Sequence, residues 1–171
     1  SEMRALTQIR SDAGFPAVEA LRLLTRECRA LLGPEVKLGY AADWSEYFGY
    51  HPQDGTEDVY FHLDPLWAED EINFIGIDVA GGEGFDWYYP SAEACAAQRR
   101  EEIRDDAHSE PWVYRYKDIR NWWANPHHDR IGGTRQSNPT AWLPQSKPIW
   151  FTETGFAAVD KATNQPNKFL D

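Results

Sequence analysis

The chain has 171 residues, enough for one domain with a core but fewer than the roughly 200–250 of complete barrels and sandwiches. Its formal net charge of −11 repels phosphate backbones and anionic lipid surfaces, which argues against nucleic acid or a membrane surface and for a neutral partner. No apolar run approaches the ~20 residues of a spanning helix and no basic, apolar leader pattern opens the sequence, so membrane insertion is not expected.

In chain order, Ser1-Glu2 reads as the tail of a strand whose body precedes the sequence. Pro16 to Leu32 then carries Val18, Leu21, Leu24, Cys28 and Leu31 at helical spacing, with Pro at its start and Gly33-Pro34 at its stop. Residues 36–42 form a short apolar run of the kind a buried parallel strand presents, and a loop follows that holds Asp43, Trp44, Glu46, Tyr47 and Phe48. That loop reads equally as a sugar-binding wall or as a locally packed turn. Residues 65–70 predict a short helix and residues 72–78 a second buried strand, so the helix-then-strand step repeats.

Asp78 leads almost at once into a Gly-rich, aromatic stretch, residues 81–89, which includes Trp87 and leaves little room for a crossover. Its Gly81-Gly82-Glu83-Gly84 lacks the Lys-Ser/Thr ending of a phosphate loop, so these glycines are read as turn formers. Residues 91–100 predict a helix with acid early and base late. A long loop-rich stretch, 112–146, follows, helical only around 117–123 and rich in Trp, Asn, Pro and His; loops of this length are usually functional. Trp122, Trp123, His127 and His128 combine stacking rings with hydrogen-bonding tips. The two adjacent histidines point in different directions, so no metal is expected there, and no cofactor motif is present. The last predicted strand is 148–153, ending in Glu153 before Gly155.

Two cysteines, Cys28 and Cys95, fall in predicted helices outside any metal or redox spacing and are expected as buried free thiols in preference to a disulfide. Aromatic residues make up 14% of the chain, more than core filling in so small a protein requires, and rings at this density suit stacking on sugars or a protein interface.

Strands alternating with helices imply a parallel sheet, either open or closed into a barrel. In a parallel barrel the site lies at the carboxyl ends of the strands, so acids that close apolar runs are the candidates. Glycoside cleavage needs two facing carboxyl groups, one donating a proton and one acting as nucleophile or base. Glu2 and Glu153 are the predicted catalytic pair, with Asp43, Trp44, Glu46, Trp87, Trp122, Trp123, His127 and His128 as predicted substrate contacts. The ordinary alternatives are a strand-end Glu153 paired with an arginine and a helix-capping Glu2.

The strings GYAADWSEYFG (39–49), FHLDPLW (61–67), NWWANPHHDR (121–130), PQSKPIWFTE (144–153) and DKATNQPN (160–167) resemble the TIM-barrel-like domain of gene transfer agent and phage tail proteins, over nearly the whole chain. The resemblance implies a partial (β/α)8 barrel spanning residues 1–171, with the C-terminal half to two-thirds of the barrel present. It also implies a baseplate or tail-tip setting in a virion-like particle, host-specificity proteins as the context, and a barrel similar to retaining glycoside hydrolases. Cell-envelope polysaccharide and other tail subunits are the implied partners. Within that clan Glu2 matches the acid/base after strand four and Glu153 the nucleophile after strand seven. Ser1 stands where the clan commonly has Asn, and the segment after Asp78 is shorter than usual. A catalytically idle glycan-binding or structural tail module is the alternative.

Overall fold

The computed structural model describes residues 2–80, 110–114 and 118–155. Helix α1 (Glu2–Thr7) and helix α2 (Pro16–Leu32) precede strand β1 (Gly39–Asp43), short helix α3 (Asp64–Trp67) and strand β2 (Phe74–Ala80). A 3-10 helix (Pro111–Tyr114), helix α4 (Ile119–Ala124), the hairpin strands β3 (Arg130–Ile131) and β4 (Thr134–Arg135), and strand β5 (Ile149–Gly155) complete the described elements. The predicted helix at 91–100, with Cys95, and the 81–89 stretch lie outside the described residues. No helix among the described residues is long and apolar enough to cross a membrane.

Helix α2 follows its local code: Pro16 opens it, Glu19 lies in the first turn and Arg29 in the last. Gly33 closes it at φ 76°, its N–H donating to the Arg29 carbonyl. The Arg29 guanidinium then donates to the carbonyls of Gly33, Val36 and Glu71 and to Asn73 Oδ1, all at 2.7–2.8 Å. Asn73 Oδ1 also accepts the Leu38 N–H at 2.9 Å. One arginine thus joins the end of the helix to the starts of β1 and β2. A second tie is Glu69, which Arg22 reaches at 2.6 Å and Arg26 grips with two nitrogens at 2.8 Å.

The main sheet is parallel, in the order β1-β2-β5. Its side chains divide by register. Tyr40, Ile75 and Ile149, then Ala42, Ile77 and Phe151, share one face. This face meets the core, in which Val18 of α2, Leu66 and Trp67 of α3 and Trp122 of α4 are buried. The opposite face carries Ala41, Gly76 and Trp150 in one row and Asp43, Asp78 and Glu153 in the next. Small residues there let Phe74 lie flat, stacked on Trp150 at 4.1 Å. A Cβ on Gly39 would sit 2.4 Å from the Phe74 ring, and one on Gly76 2.8 Å from the Ala41 Cα. With helices on the first face, the second is the one that a (β/α) barrel turns inward.

Two expectations are corrected. Residues from Glu2 onward form helix α1 and not the tail of a strand. Among the described residues, part of the aromatic excess fills the core: Tyr47, Phe61, Trp67, Trp112, Trp122 and Trp142 are all buried. Large rings fill a core under loops with few residues, which suits a chain whose 112–146 stretch holds little regular structure. Cys28 is a free thiol, half-buried rather than buried.

Candidate functional site

The candidate site is built from the carboxyl ends of the three parallel strands. Each carries an acid at or within two residues of that end, and the register aligns Asp43 with Asp78 and Asp78 with Glu153 in a single row across the sheet. At the usual strand spacing this row spans about 10 Å between its outer Cα atoms. The alignment depends on an irregularity. Ile77 faces Phe151 but Asp78 faces Glu153, so β5 holds one extra residue, Thr152, at this point. The Thr152 hydroxyl donates to Asp78 Oδ1 at 2.6 Å. Glu153 is exposed, and among the described residues no arginine pairs with it.

Asp43 is half-buried, and its Oδ1 accepts the Ser45 N–H at 2.9 Å and the Ser45 hydroxyl. Burial pushes its carboxyl up, but these Ser45 hydrogen bonds hold it below the ordinary value. Arg4 of α1 approaches Asp43 at 3.7 Å and donates to the Ser45 hydroxyl. The helix that Glu2 opens is therefore seated at the exit of β1. The Glu2 side chain lies outside the described residues.

Glu46 completes that seat. It is fully buried, accepting from the Thr7 hydroxyl of α1, from the Tyr40 hydroxyl at 2.9 Å and from the Asp43 N–H at 3.3 Å. Burial raises its carboxyl above the ordinary range in spite of these donors. His62 Nε2 stands 3.9 Å from Glu46, and burial lowers that imidazole to about 4. Glu46, an expected substrate contact, is placed here as a buried bracket between α1 and β1.

The other expected contacts divide. Trp44, in the turn after β1, is half-buried. Trp123 is half-buried and donates its indole N–H to the Lys147 carbonyl at 2.9 Å. Trp87 lies outside the described residues. Trp122 and His127 lie in the core with no exposed surface. The His127 ring lies between Trp142, stacked at 4.9 Å, and Phe61, stacked at 4.3 Å. Its Nδ1 meets Asp64 at 2.9 Å and its Nε2 the Trp122 carbonyl at 2.8 Å, so both ring nitrogens are occupied. His128 is buried too, with Nδ1 on the Gln136 carbonyl at 2.9 Å. Trp122 and His127 thus present no exposed surface to a sugar in this arrangement.

Sequence reasoning passed over Asp78, although it follows an apolar run near a strand's carboxyl end just as Asp43 and Glu153 do. It also passed over Trp150, which is 46% exposed on the face that carries the acid row. Strand alternation places both, once the register is known.

A parallel sheet with helices on one face and acids at its carboxyl ends is the arrangement of an α/β barrel segment. The sequence profile of the GTA TIM-barrel-like domain matches residues 1–80 and 77–171, and the chain belongs to this gene transfer agent domain family. The two matched stretches meet at the end of β2. No curated protein matches the chain.

Proposed function

We propose that this chain is a glycoside-hydrolase-like barrel domain of a gene transfer agent baseplate protein and acts on host cell-envelope glycan. The observation that carries this reading is the row Asp43, Asp78 and Glu153 at the strand ends, on the face that also presents Trp150. An exposed carboxylate beside an exposed indole supplies a nucleophile and a stacking platform for a pyranose ring. In this reading Glu153 attacks the anomeric carbon. Glu2 protonates the departing oxygen and then removes a proton from the incoming water. The seat of α1 at the exit of β1 supports the pairing, because it holds the helix of Glu2 at the same end of the sheet as Glu153.

The test is release of reducing sugar from purified host cell-envelope polysaccharide. Wild-type release that falls by at least about 10³-fold in Glu153→Gln supports hydrolysis. Release that is unchanged in that variant sinks the role of Glu153. The second reading, a glycan-gripping or structural tail module without catalysis, draws on the burial of Glu46, Trp122, His127 and His128 as packing groups. Glycan binding that persists in a Glu2→Gln/Glu153→Gln double variant, with no hydrolysis by wild type, would favour it.

A further inference from the structure

We propose that Thr152 and Asp78 are positioning residues that set which way Glu153 faces. Successive side chains of a strand point to opposite faces of a sheet, so a slip of one residue reverses a side chain. Ile77, buried in the core on the helix-covered face, faces Phe151, which is exposed. In an uninterrupted ladder Thr152 would oppose Asp78, and Glu153 would oppose Val79 and share the Phe151 face. The register shift between Ile77 and Asp78 changes this, and Glu153 opposes Asp78 instead. One extra residue moves the carboxylate from the side of the helices to the side of Asp43 and Trp150.

An extra residue in one strand leaves part of the ladder unpaired, and something must compensate. Here the compensating contact is local and specific: the Thr152 hydroxyl donates to Asp78 Oδ1 at 2.6 Å. Asp78 thereby has two functions in one row. It is the register partner of Glu153 on one side and of Asp43 on the other, and it is the acceptor that holds the extra residue in place. Serine supplies the same hydroxyl, whereas valine keeps the branched shape without a donor. The Thr152 pair of variants therefore separates hydrogen bonding from packing.

The geometric part of this inference is independent of any reaction; its kinetic consequence rests on the hydrolase reading above. The experiment uses the full chain as wild type, Thr152→Ser, Thr152→Val and Asp78→Asn. Cross-strand backbone contacts measured by NMR report whether Glu153 opposes Asp78 or Val79. We expect Asp78 in wild type and Thr152→Ser, and Val79 in Thr152→Val. A Thr152→Val protein that still pairs Glu153 with Asp78 overturns the lock, whatever its activity. On aryl glycosides, kcat in Thr152→Val should fall on the order of 10²-fold, as for a misplaced reacting group, with KM little changed and Thr152→Ser close to wild type. Slippage of the register in a protein whose wild type hydrolyses nothing would leave the lock standing and remove the hydrolase reading.

Discussion

At the scale of single residues, His127 shows how a polar side chain becomes structural. Its two nitrogens meet a carboxylate and a carbonyl inside a cage of Phe61, Trp122 and Trp142, and Asp64 accepts a further hydrogen bond from Thr140. Removing one member leaves the other's polar atoms in the core without that partner. His127→Leu is therefore expected to destabilise the protein by about 1–3 kcal/mol in urea titrations. Replacing His127 and Asp64 together by apolar residues should cost much less than the two single changes summed. His62 makes a different prediction. Burial lowers it to about 4, so between about 6.5 and about 4 the unfolded chain binds a proton that the folded chain does not. Its contribution is thus intact above about 6.5 and declines as pH falls through that window, by on the order of 3 kcal/mol in total. Unfolding measured at several pH values should show a shallower acid slope in His62→Gln; an unchanged slope would assign the loss to other groups.

Among the elements, strands and helices were legible where composition is local. The runs at 36–42, 72–78 and 148–153 became β1, β2 and β5, and the helix of Pro16–Leu32 is bounded as its proline and glycine indicate. The same locality explains what was not legible. The one-residue shift at Thr152 has no compositional mark and exists only relative to β2. His127 looks like a ligand until Asp64, 63 residues earlier in the chain, is placed against it. Glu46 looks like a loop acid until Thr7 and Tyr40 enclose it. The close approach of β1 and β2 yields a further prediction: Gly76→Ala puts a methyl group against the Ala41 backbone and should cost about 1–3 kcal/mol. Glu69→Gln weakens the arginine clamp of α2 and should cost about 1–2 kcal/mol, read from the shift of the denaturation midpoint.

For the molecule as a whole, family membership assigns a TIM-barrel-like domain, and among the described residues three parallel strands form an open sheet. The net charge of −11 bears on the partner. A neutral glycan would be held by stacking and hydrogen bonds, so its affinity should change little between about 0.05 and 0.5 M salt. A steep salt dependence would indicate a cationic partner instead. The exposed indole on the inward face has a separate use. Trp67, Trp112, Trp122 and Trp142 are buried, Trp44 and Trp123 half-buried, and Trp150 is the exposed tryptophan among the described residues. Collisional quenching by iodide will therefore sample Trp150 ahead of those other indoles. Whatever comes to rest on that face, whether a sugar ring or a neighbouring strand, should shield it, making the protein its own optical gauge of occupancy.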